Sequence, residues 1–405
     1  IGKILQSRGL KVTVAKIDPY VNVDAGTMNP TEHGEVFVLD DGLECDQDMG
    51  NYERFLNCNL TRLNYMTTGS IYARVIEQER NLEFEGRCVE VVPHIPLEVI
   101  NKLNLAARKV MADVIITEIG GTVGEYQNVL FLEAVRILKL KHPEDVLLVL
   151  VSYLPLLGKD NELKTKPTQY AVRTLNATGL QPDIIIARAN VALDNKRKEK
   201  IAFNCNVRVK DVISAPDVTN IYEIPLNFEK DTLSAHIFKK LGLKSKKQDL
   251  LDWTKFVETT REARKSIKVG IVGKYFGTGS FVLVDSYISV IEAIKHACYA
   301  LGSKPIIEWL DAESVDLENL KNFKGIVVPG GFGSRGVEGK IKVIKFCREN
   351  KIPYLGLCYG MQLAVVEFSR SILKWKNAQT TEIDPKTSYP VIDILPEQKK
   401  NITTK

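Results

Sequence analysis

Two doubly wound α/β domains with parallel sheets are the fold class this sequence predicts, on three observations. Apolar runs of strand length alternate with stretches whose apolar residues recur at helical spacing, first from Lys11 to Ser214 and again from Lys268 to Leu357. Such alternation means βαβ units, a parallel sheet with both faces covered. The rhythm breaks once, over residues 239–266, where KKLGLKSKKQ and a polar segment read as a solvated linker. The predicted organisation is therefore a first domain over 1–243, a linker over 244–266 and a second domain over 267–405.

The elements follow in order. The chain opens on a helical pattern (Ile1, Ile4, Leu5) stopped at Gly9. Lys11 to Ile17 alternates as a strand and runs into the turn Asp18-Pro19. Residues 20–60 are rich in Gly, Asp and Asn with little periodicity, which predicts a long functional loop. Ile95, Val99, Ile100 and Leu103 predict a helix. DVIITE (113–118) predicts a strand closed by an acid and Gly120-Gly121. Helices over 128–140, 168–175 and 196–203 then alternate with strands over 146–151, 183–187 and 211–214. In the second half, strands are expected at 268–272, 306–310, 325–328 and 353–357, with helices at 286–301 and 341–349.

Composition narrows the function classes. The 405 residues are 44% hydrophobic and 26% charged, enough for two or three cored domains and too apolar for global disorder. A net charge of +5, from 55 basic and 50 acidic residues, is too weak to argue for nucleic acid or a membrane surface. The longest apolar run, Val146 to Leu157, is broken by Ser152, Tyr153 and Pro155, so it reads as a buried strand and its exit. Seven widely spaced cysteines with no C-x-x-C pair form neither a disulfide framework nor a zinc site. A reducing, cytoplasmic setting fits them. Residue 1 is Ile and the first Met is Met28, so the sequence is expected to be an internal piece of a longer reading frame.

The strongest motif is Gly356-Leu357-Cys358-Tyr359-Gly360, a strand running into a helix through a G-x-C-x-G turn. This is the nucleophile-elbow pattern with Cys as the nucleophile, where helix-start amides lower a thiol pKa and stabilise an oxyanion. A buried structural cysteine between packing glycines is the alternative. A second strand end, Val328-Pro329-Gly330-Gly331-Phe332-Gly333, offers the opposite side of one site. In the first domain Asp46 and Asp48 lie in an acidic loop with Asp40, Asp41 and Glu44, and Glu118 closes a strand. Acids at a strand end and a nearby loop suit Mg²⁺ and a nucleotide phosphate; an acidic surface loop is the alternative. Lys164-Thr165-Lys166-Pro167-Thr168-Gln169 starts a helix and suits a triphosphate, with Lys200 completing a clamp; a charged surface loop is the alternative.

The second-domain motifs resemble class I glutamine amidotransferases. That resemblance implies Cys358 as nucleophile and glutamine contacts at Gly331, Tyr359, Gly360, Met361, Gln362 and Glu382. The family's His-x-Glu pair follows its nucleophile, whereas His33, His94, His142, His236 and His296 all precede Cys358. Glutamine hydrolysis by the chain as given is therefore expected to be absent or very weak.

The segments KIDPYVNVDAGTM (16–28), HGEVFV (33–38), NYERF (51–55), EIGGTVG (118–124) and KTKPTQ (164–169), followed by the amidotransferase motifs, closely resemble the CTP synthase family over nearly the whole chain. The resemblance implies a P-loop NTPase, dethiobiotin-synthetase-like synthetase domain. It implies ATP-dependent amination of UTP to CTP through a 4-phosphorylated intermediate, with ammonia from glutamine delivered through an internal tunnel. It places Mg²⁺ on Asp48 and Glu118, and ATP on Lys16, Asp48 and Asp217. UTP, and CTP as feedback inhibitor, fall to Glu125, Tyr126, Gln127, Lys200 and Lys164 through Gln169. GTP as allosteric activator, with Arg335 a candidate contact, and a homodimer or homotetramer able to form filaments are implied too. No nucleic-acid or membrane partner is.

Two departures qualify the match. Glu125-Tyr126-Gln127 stands where the family usually has Asp-Ile-Glu, and no G-x-x-x-x-G-K-[ST] occurs. The phosphate-binding loop is expected to precede residue 1. A cobyrinic or cobyric acid amidase and a non-catalytic chain that only assembles with partners are the competing expectations. The stretch Phe276 to Val284 carries no assigned role.

Overall fold

A computed structural model describes residues 1–157, 162–245, 249–273, 277–278, 281–282, 284–331 and 333–395. The chain divides into two compact units. One comprises Ile1–Thr27 and Val36–Val257, the other Met28–Glu35 and Glu258–Lys405.

The first unit is built on two three-stranded parallel sheets. In one, β1 (Val12–Asp18) lies between β2 (Tyr65–Thr67) and β3 (Val114–Ile119). In the other, β5 (Ile184–Ala189) lies between β4 (Val149–Tyr153) and β6 (Val212–Pro216). The β-branched runs VIITEI and IIIARA suit pleated, covered strands. One core joins both sheets: Ile184, Ile186 and Ile213 pack with Ile4, Leu5, Leu233 and Ile237, and Val114, Ile116 and Val149 border the cluster.

Helices α1 (Asp48–Leu56), α2 (Thr68–Arg80), α3 (Val91–Lys109), α4 (Val129–Lys141), α5 (Lys166–Ala177) and α6 (Asn195–Cys205) alternate with these strands. Two of them escape a purely periodic reading. Within 20–60, expected to be loop, Val36–Val38 pairs antiparallel with Glu44–Asp46, and α1 follows at once. The helix DMGNYERFL buries only Met49, Gly50 and Leu56, too few apolar positions to show a period. Helix α2 begins through a capping box: Thr67 Oγ1 accepts from the Ser70 amide at 3.0 Å, and Ser70 Oγ accepts from the Thr67 amide at 2.9 Å.

The expected linker also contains structure. Residues 246–248 lie outside the described residues, but Leu251–Glu262 forms a helix, α7. Trp253 Nε1 donates to the Tyr222 carbonyl at 2.8 Å, and the Trp253 ring lies 5.4 Å from Phe55 and 5.9 Å from Tyr222. Charge in this stretch hid an aromatic face, Trp253 and Phe256 three residues apart.

The second unit holds one parallel sheet in the order β8-β7-β9-β10, from β7 (Lys265–Gly273), β8 (Ser303–Asp311), β9 (Gly325–Val328) and β10 (Tyr354–Gly356). Helices α8 (Ile288–Ala300), α9 (Val337–Glu349) and α10 (Tyr359–Ser371) accompany it. Val337, Ile341 and Ile344 of α9 pack against Tyr359, Leu363 and Val366 of α10. The early segment Met28–Glu35 belongs to this unit because Glu35 is tied to it twice. Its carboxylate accepts from the Ser289 amide at 2.8 Å and its own amide donates to the Asp285 carbonyl at 2.9 Å. Of the stretch 276–284, only 277–278, 281–282 and 284 are described, including the antiparallel pair Gly277–Thr278 and Phe281–Val282. Among the described residues no helix is long and apolar enough to cross a membrane.

Trp253→Ala is expected to lower the urea stability of the first unit by about 2 kcal/mol, since a large ring and a hydrogen bond are lost. Leu251→Ala, at 60% exposure, is expected to leave it unchanged. Equal midpoints for both variants would return this stretch to a solvated linker.

Candidate active site

In the first unit β1 and β3 pair so that Lys16 stands directly opposite Glu118 near the carboxyl ends of the strands. Ligands in open α/β sheets bind there. Lys16 is 5% exposed, yet carries a cation. Its Nζ lies 2.6 Å from Asp48 Oδ2, 2.7 Å from Glu118 Oε1 and 3.8 Å from Asp18 Oδ1. Burial alone would lower the ammonium's pKa; Glu118, Asp48 and Asp18 reverse that and hold it above the ordinary lysine range. The sequence-predicted trio Lys16, Asp48 and Glu118 is thus brought to one point.

The neighbouring acids differ in state. The Asp46 carboxylate accepts from the Asp48 amide at 2.8 Å, starting α1. Burial, and then the nearby Asp18 charge, push its carboxyl up to about 7. Burial likewise raises Asp18, opposed by Lys16. Two members of this site have no role in the sequence reading, Asp18 and Tyr52, whose hydroxyl donates to Glu118. A signal exists for each. Asp18 lies two residues beyond Lys16 on one strand, and Tyr52 four beyond Asp48 on one helix, so each shares its neighbour's face.

The donor set suits Mg²⁺. That ion takes one or two carboxylates and completes its shell with water and substrate phosphate. Asp48 and Glu118 aim oxygens at a common point, and Asp18 adds a buried carboxylate oxygen beside it. Among the described residues no group of three or more His, Cys, Asp or Glu could hold a metal by itself. Phosphate oxygens would therefore complete any such site.

The six residues of KTKPTQ divide by burial. Lys164 is half-buried, and Lys166 and Pro167 are exposed at the start of α5, with Pro167 in its first turn. Thr165, Thr168 and Gln169 are buried. Gln169 Nε2 donates to Thr165 Oγ1 at 3.1 Å, and Thr168 Oγ1 bonds Ser152 Oγ at 2.8 Å. These three hold the turn, while the lysines lie nearer the surface. Glu162 gathers the basic groups: it bonds Lys164 and lies 3.7 Å from Arg197, with Lys200, exposed on α6, acting on it through charge.

Elsewhere in this unit, Gln127 Nε2 donates to Glu125 Oε2 at 2.9 Å, while Tyr126 projects at 96% exposure. Asp217 follows β6, accepts from Asn190 Nδ2 at 2.9 Å and lies 3.8 Å from Arg188.

In the second unit Cys358 sits between β10 and α10 at φ 47°, ψ −105°, exposed to solvent. This is a strained, left-handed elbow for a non-glycine residue. Its flanking glycines are steric necessities. A Cβ on Gly360 would lie 2.1 Å from the Val328 carbonyl oxygen, and one on Gly356 would lie 2.6 Å from the Gly360 carbonyl carbon. The ideal Cβ position of Gly330 lies 3.6 Å from the Cys358 Cβ, which places the end of β9 beside the elbow. Gly333 donates its amide to Glu382 Oε1 at 2.7 Å, so Glu382 braces the glycine turn. Gln362 is half-buried and its amide donates to the Cys358 carbonyl at 3.0 Å; Met361 is exposed. Phe332 lies outside the described residues.

Residues 1–243 match the family described as CTP synthase N-terminus, and residues 282–400 the family described as Glutamine amidotransferase class-I. A CTP synthase of Pelotomaculum thermopropionicum is 48% identical over 405 residues, covering 99% of this chain and 74% of that protein. A CTP synthase of Sulfurisphaera tokodaii is also 48% identical, over 408 residues, 99% of this chain and 76% of that protein. A solved structure titled Trypanosoma brucei CTPS - glutaminase domain with bound acivicin is 34% identical over 33% of this chain and 51% of its own, with a TM-score of 0.30.

Two outcomes test this geometry. Between pH 4 and 7 folded Asp46 keeps a proton that the unfolded residue, at its ordinary 3.8, has released. Stability therefore falls as pH rises through that window. Asp46→Asn is expected to gain on the parent between pH 4 and pH 7 in urea midpoints, and a constant difference would remove the raised carboxyl. Gly360→Ala is expected to cost the second unit about 2 kcal/mol by forcing β9 and α10 apart, read from its thermal midpoint.

Proposed function

This chain belongs to the CTP synthase family, glutamine-hydrolysing ligases of pyrimidine nucleotide synthesis, and we propose how its residues divide that work. The observation that carries the proposal is the buried Lys16 ammonium held by Asp48 and Glu118 at the carboxyl ends of two parallel strands. A cation fixed there offsets charge on a transferring phosphoryl group without reorganisation. Asp48 and Glu118 would hold Mg²⁺, which supplies Lewis-acid charge to the ATP phosphates when bound. Asp217 binds on the ATP side with Lys16. Residues 1–243 act as the synthetase domain and 267–405 as the amidotransferase domain, with 244–266 joining them.

UTP is held by its triphosphate on Lys164, Lys166 and Lys200, with the turn fixed by Thr165, Pro167, Thr168 and Gln169. Glu125, Tyr126 and Gln127 form the contact that also senses CTP. The uracil 4-oxygen attacks the γ-phosphorus of ATP and ADP leaves. Ammonia then attacks C4, and inorganic phosphate departs with the former 4-oxygen. The lysines orient and neutralise; they take no covalent part.

Ammonia comes from glutamine. The Cys358 sulfur attacks the side-chain carboxamide, and the backbone amides of Gly331 and Tyr359 stabilise the oxyanion. Breakdown releases ammonia and leaves a thioester that water hydrolyses. Gly360, Met361, Gln362 and Glu382 shape the glutamine pocket. GTP acts as allosteric activator with Arg335 among its contacts, and the working assembly is a cytoplasmic homodimer or homotetramer.

The test is ammonia-dependent conversion of UTP to CTP with ATP and Mg²⁺, run on this chain and on the whole reading frame side by side. Glu118→Ala is expected to lower the rate at least a hundredfold, in keeping with lost charge stabilisation at a phosphoryl-transfer site. In the whole reading frame Cys358→Ala is expected to abolish glutamine-dependent CTP formation and leave the ammonia-dependent rate within about twofold. No CTP from either folded protein would overturn the proposal.

A further inference from the structure

The second unit contains a fully buried lysine that no step above uses. Lys340, on the first turns of α9, is 0% exposed. Its Nζ lies 5.5 Å from the centroid of the Tyr359 ring, within cation–π range. Tyr359 is itself 1% exposed and sits in the apolar cluster of Val337, Ile341, Ile344, Leu363 and Val366. Both groups are shielded from water, so little solvent screens the contact between the Lys340 nitrogen and the ring.

Tyr359 follows Cys358 directly, and its hydroxyl donates to the Gly333 carbonyl at 2.7 Å. One side chain thus spans the two halves of the candidate glutamine site, the elbow at 358–360 and the segment that carries Gly330, Gly331 and Gly333. Helix α9 is pinned in turn, because a Cβ on Gly339 would lie 1.7 Å from the Ala312 carbonyl oxygen. Lys340 therefore meets the ring from a helix packed closely on the backbone at Ala312.

We propose that Lys340 is a positioning residue for glutamine attack: through the Tyr359 ring it fixes the elbow against the glycine turn, and so sets the spacing of the oxyanion-binding amides. This rests on Cys358 being the glutamine nucleophile. The effect runs through geometry at the oxyanion, since neither Lys340 nor the Tyr359 ring is exposed to substrate. A shift of a few tenths of an ångström between the two turns would weaken donation to the oxyanion while leaving the sulfur accessible.

The experiment labels Cys358 in the full chain with two electrophiles. Glutamine chloromethyl ketone must occupy the glutamine pocket and place its carbonyl oxygen on the oxyanion donors; the sulfur forms a bond to its methylene carbon and chloride leaves. Iodoacetamide needs neither the pocket nor the donors. Lys340→Met is expected to lower the maximal labelling rate by the ketone about tenfold, with its KI and the iodoacetamide rate unchanged, while Lys340→Arg stays within about threefold of the parent. Equal slowing with both reagents, or no slowing with either, overturns the inference.

If Lys340→Met does not fold, Tyr359→Leu keeps apolar volume and removes the ring. The same split between the reagents is then expected, and its absence overturns the inference. A parent chain that takes iodoacetamide at Cys358 but resists the ketone removes the glutamine assignment itself.

Discussion

A lysine ammonium held almost out of water among three carboxylates is the constraint on which the first unit depends. Lys16 could not remain charged at 5% exposure without Asp48, Glu118 and Asp18 around it. Each partner arrives on a different route: Asp18 on the same strand, Glu118 on the adjacent parallel strand, Asp48 on the first turn of a helix that the Asp46 carboxylate starts. The strand register, the hairpin before α1 and the launch of that helix thus serve one electrostatic centre. The charges of this centre are oriented by the fold itself, with no ligand present.

The second unit solves a different problem with sterics. Its nucleophile candidate is exposed on a strained elbow, and strain of this sort persists only where neighbours over-determine it. Gly356 and Gly360 admit backbone where no Cβ fits, and the Val328 carbonyl closes against them. Glu382 and Tyr359 then tie the facing glycine turn from two sides, through the Gly333 amide and the Gly333 carbonyl. One unit is organised by charge around a buried cation, the other by close backbone approach around a thiol.

Family membership joins these sites into one chemistry. In the function proposed here, the fixed cation and the lysines of the first unit bind and activate a nucleotide. In the same proposal, the exposed sulfur of the second unit attacks glutamine beside amide donors. Neither geometry would specify the overall reaction alone, since buried lysine–carboxylate centres and cysteine elbows each serve several chemistries. Their presence in one chain, with matches to both families, identifies the glutamine-dependent ligase.

The alternation of elements, the G-x-C-x-G turn and the lysine and acid positions were legible from residue order, because strand and helix periods and glycine-flanked turns are local properties. Asp48 and Glu118 stood out as acids at a loop and a strand end, and Lys16 through the family resemblance; their convergence on one ammonium could not be read, since it depends on the register of β1 with β3. Local patterns also missed α1, whose buried positions are few, and α7, whose aromatic face meets Phe55 and Tyr222 from distant parts of the chain. The division of KTKPTQ into buried Thr165, Thr168 and Gln169 and more open lysines likewise came only from packing. Sequence by itself determined which chemistries the chain can carry. The tertiary structure decided which groups share a desolvated environment, because burial and charge proximity are set by contacts between residues far apart in the chain.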